Sequence, residues 1–257
     1  MTRSTRRTAS VNRSTASTTD MHAKSVRWVK DNLIKPPDRR KQPLNLSDPR
    51  RVDWSQFGQT TLMIAKHLKQ KRNGRFLEVG AFDGERLSNS LALEVHYNWT
   101  GLLIEGGQSN FEALRAKHRN AFLLHACLSN VTAPTTGYMF PSGTGTALQR
   151  KKTSAKQWPV TCVPMSAVLD ALNWRHFDLM TLDVEGHEAT VLESFNWNRT
   201  AVAFFQIECN PCMRHRKRIR QLVAMMGTFG YAHVDSLLAG NGKPIDFVFK
   251  RVSDTVE

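Results

Sequence analysis

The sequence predicts an α/β fold built on a mostly parallel β-sheet, and three observations support this prediction. Apolar runs of strand length alternate with segments of helical periodicity along most of the chain. The first apolar run, residues 76–79, ends in two glycines four positions apart, Gly80 and Gly84. A second run, residues 102–105, ends on the acid Glu105. Together these features are typical of a β-α-β unit with a tight turn after its first strand.

The remaining elements continue this alternation. Helices are predicted at 21–34, 55–70, 87–95, 110–118, 166–172, 188–195 and 214–226. Strands are predicted at 76–79, 102–105, 121–128, 160–165, 177–182, 201–208, 231–238 and 245–249. For residues 130–158 the sequence predicts either a long loop, which acts as a lid or binds the acceptor, or a β-excursion. The last two strands are joined by Ala-Gly-Asn-Gly-Lys, which indicates a terminal antiparallel hairpin.

Charge divides the chain into two parts. Of the formal net charge of +14, the first 51 residues hold 13 Lys/Arg against 4 Asp/Glu. We therefore predict a basic, largely disordered arm and linker at 1–52 and one folded domain at 53–252. The arm suits three interpretations: a solvated tail, a transit peptide, or a contact with an anionic partner such as RNA or a membrane surface.

Apolar runs in this sequence are too short to span a bilayer, so no transmembrane segment is predicted. The expected location is the cytoplasm, with a mitochondrion or plastid as the alternative if residues 1–20 are a transit peptide. Four cysteines are present, and the expectation is that they pack as thiols in a reducing compartment. A lone Cys-x-x-C pair at 209–212 is weak evidence for zinc, so no metal is predicted.

The glycine turn indicates a ligand at the carboxyl edge of the predicted sheet. Gly80 and Gly84 let the backbone approach a ligand, and Glu105 can accept hydrogen bonds from both hydroxyls of a ribose. A dinucleotide site requires a further glycine where this chain has Phe82. Acids at positions 78, 83 and 105 suit a cationic ligand better than a phosphate. We therefore predict a nucleoside-containing cofactor without phosphate.

Three stretches together resemble the FkbM family of methyltransferases. They are Glu-Val-Gly-Ala-x-Asp-Gly at 78–84, the acid at 105, and Leu-Asp-Val-Glu-Gly-His-Glu at 182–188. The runs at 88–90, 98–105 and 110–112 are similar to the Star-like branch of that family. The resemblance covers roughly residues 74–250. It implies a Rossmann-like class I methyltransferase fold, with a mostly parallel seven-stranded sheet and S-adenosyl-L-methionine (AdoMet) as the cofactor.

The resemblance also implies roles for particular residues. Cofactor contacts are expected at Glu78, Gly80, Ala81, Asp83, Gly84, Glu105, Cys127, Leu128 and Asp183. The catalytic side is expected at Asp183, Glu185 and His187, where the imidazole could accept a proton from an acceptor hydroxyl. Two structural alternatives stay open: Cys127 simply packs in the core, and Asp183 and Glu185 cap the helix that follows them.

The function predicted from these residues is AdoMet-dependent methyl transfer, to an oxygen of an unidentified acceptor. The first alternative is a catalytically inactive Star-like adaptor that retains the fold. The second is a nucleic-acid methyltransferase that uses the basic arm and the basic run at 214–220.

Overall fold

The computed structural model describes residues 17–142, 145–209 and 216–252. The helices are α1 (Thr18–Asn32), α2 (Gln59–Lys66), α3 (Leu91–Tyr97), α4 (Gln108–Arg115), α5 (Met165–Leu172), α6 (Glu188–Glu193) and α7 (Arg216–Thr228). The strands are β1 (Arg75–Val79), β2 (Thr100–Glu105), β3 (Ala121–His125), β4 (Cys127–Leu128), β5 (Thr135–Ser142), β6 (Gly145–Gln149), β7 (Trp158–Val163), β8 (His176–Leu182), β9 (Ala201–Glu208), β10 (Tyr231–Leu238) and β11 (Pro244–Arg251).

The main sheet has seven strands in the order β10-β11-β9-β8-β1-β2-β3. The five strands from β9 to β3 are parallel, and β11 pairs antiparallel with both β9 and β10. The sequence-based prediction of a mostly parallel seven-stranded sheet that ends in an antiparallel hairpin is confirmed. The chain reverses its strand order between β1 and β8, which places a ligand crevice at the carboxyl ends of these strands.

Helices cover both faces of the main sheet because its central strands are apolar on both sides. One core lies between the sheet and α1, α5, α6 and α7, and includes Val29, Leu77 and Phe205. The other lies under α2, α3 and α4, and includes Phe76, Met63 and Leu114. Burial of these two cores provides the main stabilisation of the sheet.

A second, four-stranded sheet has the order β4-β7-β5-β6. Its strands lie within residues 127–142 and 145–163, so the β-excursion is the correct alternative for the described part of residues 130–158. The single strand predicted at 121–128 was wrong, since β3 ends at His125 and β4 joins the second sheet.

A disulfide links Cys127 to Cys162 in the second sheet. The register of β4 and β7 places these two residues directly opposite each other. Cys209 is also disulfide-bonded. The expectation of packing thiols was therefore wrong for these three cysteines. Disulfides are characteristic of oxidising environments rather than the reducing compartment that we expected.

The N-terminal part of the described chain belongs to the folded unit. Val29 of α1 is fully buried against the core, and His22 contacts Asp170 of α5 at 2.9 Å. Beyond the helix, Ile34 exchanges backbone hydrogen bonds with Leu123 of β3. The ordered unit thus begins before residue 53, because the apolar side of α1 was sufficient to dock it. Residues 1–16 of the predicted arm lie outside the described residues.

Several helix boundaries differ from the predicted ones. The segment after the first glycine turn stays irregular to Ser90, so α3 begins at Leu91 rather than at 87. Helix α2 begins at Gln59 rather than 55. Pro164, not Ser166, occupies the N-cap position of α5. Within the described ranges, none of the helices has the length and apolar character needed to cross a membrane.

Candidate active site

One cavity opens at the carboxyl ends of β1, β2 and β8, where the strand order reverses. Most of the residues predicted from the sequence meet there. The predicted residues that line the cavity are Glu78, Gly80, Glu105, Cys127, Leu128, Asp183, Glu185 and His187. The cavity lining contains four acidic residues and no lysine or arginine. This charge balance suits a cationic ligand, as predicted.

Gly80 joins two of the strands at the floor of the cavity. Its φ of +87° lies in the left-handed region that favours glycine. A Cβ atom built on Gly80 would collide with the backbone carbonyl of Asp183. The backbone amide of Asp183 donates to the carbonyl of Val79 at 3.0 Å. The turns after β1 and β8 are therefore in direct contact, which fixes Asp183 beside the glycine turn.

Glu105 lies at the end of β2 and is 5% exposed. Its carboxylate accepts from the backbone amides of Phe82, at 2.9 Å, and Gly107, at 2.7 Å. Burial raises the pKa of Glu105 to about 7, against the lowering effect of these amides and of a hydrogen bond from Asn110. A carboxylate with four lone-pair directions keeps acceptor capacity towards the cavity. Glu105 can therefore bind a pair of adjacent hydroxyls, and its charge depends on pH near neutrality.

Glu78 is buried beneath the loop that precedes α3. Its carboxylate accepts from Ser88 Oγ at 3.0 Å, from the Asn89 amide at 2.7 Å and from Ser90 Oγ. Burial raises the pKa of Glu78, and the nearby charge of Arg119 opposes this effect. Glu78 borders the cavity, but its hydrogen bonds hold the loop that supplies Leu87 and Asn89 to the cavity wall.

Three residues predicted to contact the cofactor lie outside the cavity lining. Asp83 accepts from the backbone amides of Glu85 and Arg86, at 2.9 and 2.7 Å, and so stabilises its own turn. A Cβ atom on Gly84 would collide with Leu114 of α4, so this glycine permits close helix packing. Ala81 is buried in the core under α2, α3 and α4. These three residues stabilise the turn and the core, and their direct contact with the cofactor stays a prediction.

Cys127 and Leu128 form the wall of the cavity on the side of the second sheet. Met139 of β5 and Leu148 of β6 complete this apolar wall. The sequence did not identify either residue, since their positions depend on how the second sheet folds over the first. An apolar wall next to Glu105 suits a purine base whose ribose lies on the carboxylate.

Asp183, Glu185 and His187 line the cavity after β8, as predicted. The alternative that Asp183 and Glu185 cap the next helix is not what the structure shows. Glu188 instead accepts from the amides of Val184, at 3.2 Å, and Gly186, at 3.0 Å. Burial lowers the pKa of His187, and its Nδ1 atom is buried without a hydrogen-bond partner. The imidazole is thus neutral near pH 7 and able to accept a proton.

A row of polar side chains continues from Thr181, which lines the cavity, across the neighbouring strands. Thr181 of β8 lies opposite Gln206 of β9, and Glu208 lies opposite Asp246 of β11. Asn89 accepts from Gln206 Nε2 at 3.1 Å. Thr181 Oγ and Gln206 Oε1 are buried without hydrogen-bond partners. Sequence reasoning missed Thr181 as a cavity residue, and it missed Gln206 and Asp246 as members of this polar row. The available signal was the placement of polar residues within otherwise apolar strands.

Asp246 is 3% exposed and accepts from Gln206 Nε2 at 2.7 Å and Gln59 Nε2 at 3.0 Å. Burial raises its pKa to about 7, and the charge of Asp183 adds to this effect. The pKa of this carboxyl group is higher in the folded state than in the unfolded state. The free energy of unfolding is therefore highest below the pKa of the unfolded state, and it falls as the pH rises through the pKa of the folded state.

We therefore expect Asp246→Asn to be more stable than the wild type at pH 8. Its advantage in the free energy of unfolding should grow by on the order of 1–3 kcal/mol between pH 5 and pH 8. Urea unfolding of both proteins at several pH values measures this difference. If the free energies of unfolding of the two proteins changed with pH in the same way, the ionised form of Asp246 would not destabilise the folded state. Asp31→Asn, on the exposed side of α1, is the control.

Groups of three or more His, Cys, Asp or Glu side chains positioned to hold a metal ion are absent from the described part of the chain.

The geometry is that of an α/β enzyme fold with an acidic cavity at its topological switch point, where open α/β sheets bind ligands. Solved structures that resemble the chain include a methyltransferase from Pyrococcus furiosus, which is 12% identical in sequence with a TM-score of 0.47. The match covers 82% of the chain described here and 90% of the Pyrococcus chain. Fibrillarin from Aeropyrum pernix with bound AdoMet has 12% identity, 81% and 87% coverage, and a TM-score of 0.47. An O-methyltransferase from Bacillus cereus with bound S-adenosylhomocysteine has 12% identity, 91% coverage of both chains, and a TM-score of 0.42. No curated protein matches the chain in sequence.

The family assignment comes from a match between residues 78–243 and the methyltransferase FkbM domain. The chain belongs to this family, which confirms the sequence resemblance. It is an AdoMet-dependent methyltransferase.

Proposed function

We propose that the protein transfers the methyl group of AdoMet to an oxygen atom of its acceptor. The observation that supports this most directly is the convergence of Glu105, the Gly80 turn and Asp183 on one cavity without lysine or arginine. AdoMet is a phosphate-free monocation with a ribose, so the residues present fit it. Bound AdoMet supplies an electrophilic methyl carbon, and methyl transfer to a hydroxyl releases one proton.

The residue roles follow from their positions around the cavity. Glu105 binds the ribose hydroxyls, and the apolar wall formed with Cys127 and Leu128 accepts the adenine. The backbone at Gly80 approaches the methionine part. Asp183 and His187 lie on the transfer side, where either could accept the proton of the acceptor hydroxyl. Glu185 is placed on the same side, with a backbone φ of +53°.

The proposal is tested with AdoMet that carries a labelled methyl group. The protein is incubated with pools of alcohols, phenols, carboxylic acids, amines and RNA, and labelled products are separated. Transfer to an alcohol, phenol or carboxyl group, with equimolar release of S-adenosylhomocysteine, is the expected result. Exclusive transfer to nitrogen, carbon or RNA would contradict O-methylation. A rise in the melting temperature with AdoMet, measured first, establishes that the donor binds.

The raised pKa of Glu105 predicts how binding depends on pH. The charged carboxylate accepts from the ribose hydroxyls, whereas the protonated form must first lose its proton. We expect the affinity for S-adenosylhomocysteine to be constant above pH 7 and to fall about tenfold per pH unit below it. Glu105→Gln should bind about 10- to 100-fold more weakly at pH 8 and show little dependence on pH. Isothermal titration calorimetry measures both properties.

The control for this prediction is Glu112→Gln, an exposed position on the neighbouring helix. It should keep the wild-type pH profile. If Glu105→Gln retained the same loss of affinity below pH 7, another group would be responsible for the dependence.

Two further predictions concern partners and lineage. An anionic partner for the basic arm and for the run at 214–220 stays a prediction, and residues 1–16 and 210–215 lie outside the described residues. In α7, Lys217, Arg218 and Arg220 are exposed, which suits either solvent or an anion.

Membership of the Star-like branch, with an adaptor role, also stays a prediction. An adaptor without catalysis would give no labelled product with any acceptor pool.

A further inference from the structure

The irregular loop 80–90, which follows β1, forms one wall of the cavity in a conformation that needs support from outside the loop. Phe82, Leu87 and Asn89 of this loop line the cavity. Phe82 and Leu87 have backbone φ angles of +50° and +61°, in the left-handed region that residues with a Cβ atom rarely adopt. Such conformations are costly, persist only where surrounding contacts hold them, and concentrate at ligand sites. The contacts that hold this loop therefore affect how the donor binds.

Glu85 fastens this loop to a segment that is distant in sequence, the N-terminal strap formed by residues 38–52. Glu85 is 4% exposed, and its two carboxylate oxygens accept from the backbone amides of Ser47 and Asp48, both at 2.9 Å. Lys117 Nζ lies 2.6 Å from Glu85 Oε2 and compensates its charge. Burial alone would raise the pKa of Glu85, but these three hydrogen bonds outweigh it and lower the pKa to about 2. The carboxylate is therefore ionised near neutral pH.

The strap is itself docked on the domain, so it provides a fixed point for the loop. Leu44 and Leu46 pack against Trp54 and the start of α3. The backbone amide of Asn45 donates to the carbonyl of Lys117 at 2.9 Å. All residues of the strap are described, and none of them lines the cavity. The strap can therefore influence a bound donor only through the elements that it holds.

We infer that Glu85 is a positioning residue for AdoMet, because it holds loop 80–90 in the binding conformation by fixing it to the N-terminal strap. This inference rests on the proposed placement of AdoMet in the cavity. The strap and the donor are then coupled, since both favour the same conformation of the loop. Such coupling is reciprocal. Donor binding should make the attachment of the strap more stable, and loss of the attachment should weaken donor binding.

The first test uses the wild-type protein and measures hydrogen exchange of backbone amides with and without saturating S-adenosylhomocysteine. The probes are the strap amides of Asn45, Ser47 and Asp48, each of which donates a hydrogen bond. We expect the ligand to slow their exchange by about 5- to 50-fold. The amides of Ala239 and Gly242, which are hydrogen-bonded in the turn between β10 and β11, are the control and should exchange at an unchanged rate.

The second test replaces Glu85 by glutamine, which keeps the length of the side chain but puts an N–H donor in place of one acceptor oxygen. One strap amide and the cation of Lys117 then lose their partner. We expect Glu85→Gln to bind S-adenosylhomocysteine about 5- to 50-fold more weakly than the wild type in calorimetric titration. The factor should be the same at pH 6 and pH 8, unlike that of Glu105→Gln, because Glu85 is ionised at both. The strap amides of this variant should exchange equally fast with and without the ligand.

Asp235→Asn is the matched control for a loss of stability alone. Asp235 also joins distant segments, since it lies 3.2 Å from Lys66 Nζ and 3.1 Å from His67 Nε2. It belongs to β10 and does not line the cavity. Both variants should lower the melting temperature, and only Glu85→Gln should change the affinity for S-adenosylhomocysteine.

Other results overturn the inference. If Glu85→Gln has a lower melting temperature but binds as tightly as the wild type, Glu85 only stabilises the fold. Equal exchange of the strap amides in free and bound wild-type protein excludes the coupling, and this result requires no variant. If exchange slows equally at Ala239 and Gly242, the ligand stabilises the whole fold rather than acting through Glu85. If the wild type does not bind S-adenosylhomocysteine, the proposed placement of AdoMet fails first and the inference fails with it.

Discussion

Replacing Asp183 by asparagine should reduce methyl transfer by about 10²- to 10⁴-fold, the usual contribution of a positioned proton acceptor. The amide keeps the shape of the side chain but cannot take a proton from an acceptor hydroxyl. The backbone of Asp183 makes the contacts with Val79 and Gly80, so the turn should survive the substitution. The loss should therefore appear in the rate of transfer at saturating donor.

Three measurements test this expectation. Release of S-adenosylhomocysteine, with an acceptor identified by the labelled-methyl screen, gives the rate. Binding of S-adenosylhomocysteine should stay within about threefold of the wild type, because this ligand lacks the sulfonium charge that Asp183 faces. The melting temperature should be unchanged or higher. Transfer at the wild-type rate would remove Asp183 from the chemistry and leave positioning alone to account for catalysis.

His187 offers a matched comparison on the same turn. Its imidazole is neutral near pH 7 and lines the cavity beside Asp183. If His187→Asn reduced the rate more than Asp183→Asn, the proton would pass to the imidazole. A loss confined to Asp183→Asn would assign the proton to the carboxylate.

The parts of the site that were predictable are those encoded by short, local patterns. Strand β9 was predicted with its observed limits, and the terminal hairpin was placed within one or two residues. Glu105 and Asp183 each end an apolar strand, and parallel strands present their carboxyl ends at one edge of the sheet. Their convergence on one cavity therefore follows from the sequence.

The parts that were missed depend on contacts between distant segments. Asp246 approaches Glu208 only through the antiparallel register of β11 and β9. The disulfide joins cysteines that are 35 residues apart, and it requires that β4 and β7 pair in one register. The packing of Gly84 against Leu114 was not predicted, because a glycine needed for packing has the same local pattern as one that faces a ligand. None of these contacts has a signal within a window of a few residues.

Arg119 is the clearest example of a structural role hidden from the sequence. It precedes β3 in a short connection, yet its side chain is fully buried. The guanidinium contacts Glu94 Oε2 at 2.7 Å and Ser90 Oγ at 2.9 Å, and it also donates to the carbonyl of Gly84. Its charge opposes the rise in the pKa of Glu78. Arg119 therefore connects α3 with the loop that supplies Asn89 to the cavity.

We expect Arg119→Met to lower the free energy of unfolding by about 3–5 kcal/mol, since it leaves buried carboxylates without their cation. Arg39 still contacts Glu94, so the loss should lie near the lower end of that range. The double variant Arg119→Met/Glu94→Gln should recover part of the loss, because it removes the charge that Arg119 compensates. Urea unfolding of the four proteins gives the coupling energy between the two residues.

The same variants separate a structural role from a role in binding. Because the loop from Gly84 to Ser90 loses its anchor, Arg119→Met should also weaken S-adenosylhomocysteine binding, and the double variant should restore part of it. Arg119→Lys keeps the charge but loses the planar fork, so its stability should lie between those of the wild type and Arg119→Met. If Arg119→Met were as stable as the wild type, apolar packing would replace the ion pair without loss. The loop would then be held by its hydrogen bonds to Glu78, Thr60 and Gln206.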